Sequence, residues 1–176
     1  MKHGKKILVT GGARSGKSSF AQSLAEQLPG PRAYLATAQV LDQEMRERVA
    51  RHQAQRGREW QATIEEPYDL SSALKQAASR CPVILVDCIT LWLTNLLLAS
   101  RKQSDPVLQK VDQLATQLSG CPASVIMVTN EVGQGIVPEH PLARQFRDLA
   151  GLANQKLAAA CDTVYLVSCG LPLKLK

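Results

Sequence analysis

The sequence predicts an α/β fold with a parallel central sheet and flanking helices. Short runs of β-branched or aliphatic residues recur along the 176 residues and are separated by segments with a helical pattern. Runs that are apolar at every position suit strands covered on both faces, and their alternation with helices is typical of a parallel sheet. The 45% of hydrophobic residues and 20% of charged residues exclude a disordered chain.

The individual elements follow in chain order. The predicted strands are Ile7–Thr10, Ala33–Ala36, Val83–Val86, Val125–Val128 and Thr163–Val167. The predicted helices are Lys17–Leu28, Asp42–Arg56, Asp69–Ser79, Thr90–Ser100, Pro106–Leu118 and Leu142–Ala160. No internal repeat or linker interrupts this order, so we expect one domain over residues 1–176.

Charge and cysteine content narrow the class of protein. The net charge of +6 is dispersed, and it suits an anionic small substrate as well as a nucleic acid. The spacing of the cysteines argues against a structural zinc site, and their odd number argues against a disulfide framework. We therefore expect all of them to be reduced core residues: Cys81, Cys88, Cys121, Cys161 and Cys169.

Two segments bear on the location of the protein in the cell. The apolar stretch Cys88–Ala99 is shorter than the roughly 18 residues of a membrane span, and it predicts a buried helix or a subunit contact. The first residues lack the pattern of a signal peptide. We therefore expect a cytoplasmic protein without a membrane span.

A phosphate-binding loop follows the first predicted strand. It matches the pattern G-x-x-x-x-G-K-[ST] over Gly11, Gly12, Ala13, Arg14, Ser15, Gly16, Lys17 and Ser18, and a helical segment follows. Backbone N–H groups and the helix N-terminus can wrap phosphates, with Lys17 on the β- and γ-phosphates and Ser18 on Mg²⁺. The other interpretation is a chance turn rich in glycine and serine.

An acid ends the third predicted strand. Asp87 follows four aliphatic residues, where P-loop enzymes hold the metal opposite Ser18, although a helix cap is also consistent with it. The predicted fold class is thus a P-loop NTPase of RecA-like architecture, a single nucleotide-binding domain.

Two other classes of nucleotide-using proteins also contain a phosphate loop. A GTPase switch is weakly supported, because Thr129–Gly133 stands where an Asn-Lys-x-Asp motif is expected. A RecA-like, nucleic-acid-stimulated ATPase is the alternative function, since it shares the sheet, the loop and the strand-end acid. The aromatic residues are not interleaved with basic ones, so no base-stacking surface is evident and we expect no nucleic-acid partner.

The predicted helix Asp42–Arg56 carries a histidine in a basic segment. His52 is flanked by Arg51 and Arg56. Beside a nucleotide site, such a histidine can attack a phosphate, because nearby cations keep its imidazole neutral and stabilise the transferred group. A surface or half-buried histidine on an amphipathic helix is the alternative interpretation.

Four segments carry a resemblance to a known family: GGARSGKS, LATAQVLDQEMRERVARH, VDCITLWLTNLL and TNEVGQGIVPEHPLARQFRDLAGLANQKLAA. Together they closely resemble the bifunctional adenosylcobinamide kinase / adenosylcobinamide-phosphate guanylyltransferase family of cobalamin biosynthesis. The resemblance implies phosphorylation of adenosylcobinamide by a nucleoside triphosphate, ATP or GTP. It then implies transfer of GMP from GTP, through a guanylylated histidine, to adenosylcobinamide phosphate.

The resemblance also implies positions for the site and a homotrimeric assembly. The guanylylated histidine falls on His52. The nucleotide contacts fall on Gly11 to Ser18, Ala36, Thr37, Ala38, Gln53, Ala54, Gln55, Arg56, Glu65 and Asp87. The carboxylate of Glu65 can accept from the guanine edge, and an exposed loop acid is the alternative. Asn130 and Glu131 lie at the carboxyl end of the fourth predicted strand, where they can reach substrate or metal or cap the loop.

Overall fold

The computed structural model describes residues 4–39, 57 and 59–176. Its strands are β1 Lys6–Gly11, β2 Arg32–Ala36, β3 Trp60–Glu65, β4 Val83–Asp87, β5 Ser124–Val128, β6 Thr163–Ser168 and β7 Leu171–Lys174. Its helices are α1 Lys17–Gln27, α2 Leu70–Ala78, α3 Ile89–Ala99, α4 Ser104–Gly120 and α5 Pro141–Ala160, with a short 3-10 helix at Val132–Gln134.

The strands form one sheet in the order β3-β2-β4-β5-β1-β6-β7. Neighbouring strands from β3 to β6 pair in parallel, and β7 pairs antiparallel with β6. The predicted α/β class, a mostly parallel sheet flanked by helices, is confirmed. Every predicted strand is present, with bounds that differ by at most one residue at each end.

Two strands were not predicted from the sequence. Strand β3 alternates half-buried and exposed residues, and β7 is exposed along its whole length. Both lie at the edges of the sheet. Inner strands are covered on both faces, whereas edge strands are not. Edge strands therefore lack the continuous apolar pattern from which the inner strands were predicted. The predicted helix Asp42–Arg56 lies outside the described residues.

Alternate residues of each inner strand enter two cores on opposite faces of the sheet. Leu8 packs in the larger core with residues of α2, α3, α4 and α5. Ile7 and Val9 pack in the smaller core with Ala21 and Ala25 of α1. Helix α1 therefore covers one face directly behind the segment Gly11–Ser18.

The apolar helix α3 is buried within the chain. Trp92 and Leu93 are at most 1% exposed, whereas Leu98 is 60% exposed. The first of the two predicted interpretations, a buried helix, thus accounts for most of this segment. Among the helices that the structure describes, none has both the length and the apolar composition needed to cross a bilayer.

A buried arginine closes the end of α1. The Arg32 side chain is 4% exposed and donates to the carbonyl oxygens of Ala25, Glu26 and Leu28 at 2.7–2.8 Å. It also pairs with Glu59, whose side chain is 73% exposed, so this ion pair adds little stability. The carbonyl contacts satisfy acceptors that a helix C-terminus leaves without partners.

We expect Arg32→Met to lower the free energy of unfolding by about 2–4 kcal/mol, because it removes the side-chain donor to the part-buried carbonyls of Glu26 and Leu28. Urea denaturation measures the change. Arg80→Met, at an exposed position, is the matched control and should change stability by less than about 0.5 kcal/mol. An Arg32 variant as stable as this control would contradict the capping role.

Candidate active site

The phosphate loop has the backbone that its glycines predict. Gly16 has a φ of 93°, in the left-handed region, and a Cβ there would lie 3.1 Å from the Cα of Gly170. A Cβ on Gly11 would lie 2.4 Å from the carbonyl oxygen of Val167. The distance at Gly11 is shorter than real Cβ atoms allow. At Gly16 the left-handed φ, together with the tight contact, favours glycine.

Neighbouring strands hold the loop at two points. The N–H of Glu131 donates to the carbonyl of Gly11 at 3.1 Å, just after β5. The N–H of Gly170, in the turn between β6 and β7, donates to the carbonyl of Ser15 at 2.8 Å. The loop is therefore fixed at its start and near its middle, while Gly12, Ala13 and Arg14 are exposed.

Lys17 begins α1 and folds back over the loop. Its ammonium group donates to the carbonyl of Gly12 at 3.0 Å, and the residue is only 9% exposed. A lysine held in this way is close to the backbone N–H groups that face a bound phosphate. The helix that starts here adds the positive end of its dipole to the same place.

Three of the predicted site residues line up at the carboxyl ends of adjacent strands. Ala36 at the end of β2 pairs in register with Glu65 of β3 on one side and with Asp87 of β4 on the other. Glu65 is exposed and Asp87 is half-buried. With β-strands roughly 4.8 Å apart, this arrangement places both acids at one edge of the sheet, the edge that carries the phosphate loop.

Thr37 has a structural contact beside this row. It is completely buried, and its hydroxyl group donates to the carbonyl of Cys88 at 2.6 Å and accepts from the N–H of Cys88 at 2.9 Å. Its N–H donates to the carbonyl of Asp87 at 3.3 Å. Thr37 thus fixes the backbone that carries the Asp87 carboxylate, whereas Ala38 is partly exposed.

The structure places the phosphate loop, Ala36 to Ala38, Glu65 and Asp87 along the carboxyl edge of one sheet, with Ala36 directly between the two acids. The predicted nucleophile His52 lies outside the described residues. The same holds for Gln53, Ala54, Gln55 and Arg56.

The cysteines are free, and the prediction of core positions is wrong for one of them. Cys81, Cys88, Cys121 and Cys161 are buried, but Cys169 is exposed in the turn between β6 and β7. Burial raises the pKa of the Cys88 thiol to about 11, and the Asp87 carboxylate adds to the increase. Burial also raises the pKa of Cys161 to about 12.

We expect iodoacetamide at pH 8 to alkylate Cys169 alone in the folded protein and all five cysteines after unfolding. The raised pKa values keep Cys88 and Cys161 as neutral thiols until the pH approaches 11, so labelling at pH 9.5 should not add them. Mass spectrometry of tryptic peptides identifies the labelled residues. Rapid labelling of Cys88 in the folded chain would contradict its burial.

Asn130 and Glu131, singled out in the sequence, belong to a polar network beside the loop whose other members were not predicted. It joins residues of β1, α3 and α5 to the segment after β5, and we call it the strand-end network: Thr10, Thr90, Thr129, Asn130, Glu131 and Asn154. Threonines directly after aliphatic runs, at positions 10 and 129, were the available signal. The sequence alone does not indicate which distant residue they contact.

The sequence matches a protein-family model and known bacterial proteins. The family model described as cobinamide kinase / cobinamide phosphate guanyltransferase matches residues 7–175. The chain is 44% identical to the bifunctional adenosylcobalamin biosynthesis protein CobU of Salmonella typhimurium, over 97% of this chain and 99% of the relative. It is 43% identical to the bifunctional adenosylcobalamin biosynthesis protein CobP of Pseudomonas aeruginosa, with 96% of each covered.

These matches extend over nearly the whole chain, including the loop and the strand-end acids. They confirm the resemblance seen in the sequence and do not favour the RecA-like nucleic-acid-stimulated ATPase. The chain belongs to the cobinamide kinase / cobinamide phosphate guanyltransferase family.

Proposed function

We propose that this chain carries out both reactions of its family on a single nucleotide site. The phosphate loop, with Lys17 folded over it at the carboxyl edge of the sheet, is the observation that carries the proposal. In the first reaction a nucleoside triphosphate phosphorylates the hydroxyl group of adenosylcobinamide. In the second, GTP supplies GMP to adenosylcobinamide phosphate.

The kinase reaction requires charge stabilisation and positioning. Lys17 would exchange the Gly12 carbonyl for oxygens of the β- and γ-phosphates, while loop N–H groups bind the rest of the triphosphate. The acceptor hydroxyl then attacks the γ-phosphorus, the bond to the β-phosphate oxygen breaks, and the nucleoside diphosphate leaves. No covalent enzyme intermediate is needed in this reaction.

Ser18 and Asp87 fit a Mg²⁺ ion. Both offer hard oxygen donors, the ligands that Mg²⁺ prefers, and neither side chain forms a hydrogen bond within the described residues. When bound, the ion would neutralise part of the negative charge on the triphosphate. We propose Ser18 and Asp87 as the residues that hold it.

The guanylyl transfer requires a nucleophile, for which we propose His52. Its imidazole attacks the α-phosphorus of GTP, a P–N bond forms and pyrophosphate leaves. A phosphate oxygen of adenosylcobinamide phosphate then displaces the histidine and forms the P–O–P bond of adenosylcobinamide-GDP. For the nucleotide we propose contacts from Ala36 to Ala38, from Gln53 to Arg56 and from Glu65.

We further propose a single nucleotide-binding domain over residues 1–176 that assembles as a homotrimer in the cytoplasm. The position of all described strands in one sheet supports the single domain. Exposed leucines at positions 171, 173 and 175 and the exposed Ile136 and Val137 offer apolar surface to neighbouring subunits. Light scattering after size exclusion tests this assembly, as it should give three times the chain mass of 19.1 kDa.

Incubation with GTP labelled at the α- or the γ-phosphate tests the proposed function. With Mg²⁺ present, α-labelled GTP should leave acid-labile label on the protein, because P–N bonds hydrolyse in acid. With adenosylcobinamide added, γ-label should appear on the corrinoid. Absence of protein-bound label would contradict the guanylyl transfer, and absence of γ-label on the corrinoid would contradict the kinase reaction.

A further inference from the structure

The strand-end network lies where the phosphate loop leaves β1. Thr10 precedes the first residue of the loop, Gly11, and is 5% exposed. Its hydroxyl group donates to Oε1 of Glu131, a residue 121 positions further along the chain. The backbone N–H of the same Glu131 donates to the carbonyl of Gly11. One residue after β5 therefore holds both the side chain before the loop and the backbone at its start.

Asn154 of α5 forms hydrogen bonds that hold Glu131 and its neighbours in place. Its amide nitrogen donates to the carbonyl of Asn130 at 3.2 Å and to Oε1 of Glu131 at 3.4 Å. Its amide oxygen accepts from the hydroxyl group of Thr129 at 2.8 Å. Asn154 thereby contacts three consecutive residues, so the turn after β5 has little freedom to move relative to α5.

The network also reaches the helix that follows Asp87. Thr90, at the start of α3, accepts at its hydroxyl oxygen from the N–H of Asn130 at 2.8 Å. The Thr90 and Thr129 hydroxyl oxygens are 3.3 Å apart, within hydrogen-bond distance. Asp87 and Thr90 are separated by only two residues, so the same network links the turn after β4 to the start of the phosphate loop.

The presence of the Glu131 carboxylate beside the phosphate loop requires an explanation. An acid close to a triphosphate repels it, which weakens nucleotide binding unless the acid contributes something else. The hydrogen bonds at Oε1 of Glu131 come from a hydroxyl group and an amide, which are neutral donors. On the side that faces β1, the Glu131 carboxylate therefore acts as a hydrogen-bond acceptor. Accepting hydrogen bonds from neutral donors does not require a negative charge.

We propose that Glu131 is a positioning residue for the reactions at the phosphate loop, held in place by Asn154 and acting through Thr10 and Gly11. The inference rests on the proposed function, since it concerns how the same loop is kept in the geometry for phosphoryl transfer. The hydrogen-bond acceptor at Oε1, and not the negative charge, performs this role.

A set of variants distinguishes a role of Glu131 as a hydrogen-bond acceptor from a role of its negative charge. Glu131→Ala and Thr10→Val should each lower the kcat of the kinase reaction by about tenfold to a hundredfold, because small misplacements of reacting groups have effects of this size. Glu131→Gln retains the acceptor oxygen and should stay within about threefold of wild type, and Thr10→Ser should rescue in the same way. The double variant Thr10→Val/Glu131→Ala should lose no more than Glu131→Ala alone, since both changes break the contact between Thr10 and Glu131.

The matched control is Glu139→Ala, an exposed acid in the same segment, which should retain wild-type kinetics. Thermal unfolding of every variant separates a loss of folded protein from a loss of rate per folded molecule. If Glu131→Gln is as inactive as Glu131→Ala, the charge itself is required and the inference is wrong. If Glu131→Ala keeps the wild-type kcat, the contact has no positioning role.

Failure of the proposed function has a different signature. In that case the wild-type protein would fail to bind GTP in isothermal titration calorimetry, before any variant is compared. If the wild type binds GTP and phosphorylates adenosylcobinamide while the Thr10 and Glu131 variants do the same at equal rates, only the positioning inference is wrong.

Discussion

Lys17→Ala should abolish both the kinase and the guanylyl-transfer activities, with a loss of kcat of at least about a hundredfold in each. Both reactions place a triphosphate on the same loop, and Lys17 supplies its one buried ammonium group, 3.0 Å from the Gly12 carbonyl. Alanine leaves that carbonyl and the phosphate oxygens without this cation. Initial rates with adenosylcobinamide, and separately with adenosylcobinamide phosphate, measure the two effects.

Lys110→Ala is the control for this variant, because Lys110 is exposed on α4 and is not one of the predicted site residues. It should leave both rates unchanged. Circular dichroism should give the same helix content for both variants and the wild type. Kinase activity within about tenfold of wild type in the Lys17 variant would refute the assignment of Lys17 to the phosphates.

The inner strands and their helices were predictable, whereas the edge strands were not. Strand β5 is apolar at consecutive positions from Val125 to Val128 because helices cover both of its faces. Strand β7 is four residues long, contains Pro172 and is exposed throughout. Nothing in a run of this kind distinguishes an edge strand from a loop, since its pairing with β6 depends on the tertiary structure.

The residues of the site also divide into those that were predictable from the sequence and those that were not. The residues Gly11 to Ser18 form a contiguous pattern, and Asp87 follows an aliphatic run, so sequence alone indicates their chemistry. The contact between Thr10 and Glu131 spans 121 residues, and that between Thr129 and Asn154 spans 25. Such pairs follow from how the strands are ordered in the sheet, with β5 directly beside β1. Cys169 shows the same limit, because its exposure is set by the turn into β7.

His52→Asn should eliminate guanylyl transfer, with a loss of at least about a thousandfold, and keep the kinase kcat within about tenfold of wild type. The kinase reaction moves the γ-phosphoryl group directly to a hydroxyl and depends on the loop, which this variant leaves unchanged. Guanylyl transfer attacks the α-phosphorus, and without an imidazole it has no covalent intermediate to form. Asparagine retains similar size and polarity. Acid-labile label from α-labelled GTP on the protein, compared with the rate of corrinoid phosphorylation, measures the separation.

His140→Asn is the control for His52, because His140 is the only histidine among the residues that the structure describes. It caps α5, where its Nδ1 accepts from the N–H of Leu142 at 3.2 Å, and asparagine can accept the same hydrogen bond. An imidazole committed to a helix cap at that nitrogen should not carry the guanylyl group, so label should persist in this variant. Label that persists in His52→Asn and disappears in His140→Asn would move the nucleophile to His140. Equal loss of both activities in His52→Asn would instead mean that His52 shapes the nucleotide site without forming the P–N bond.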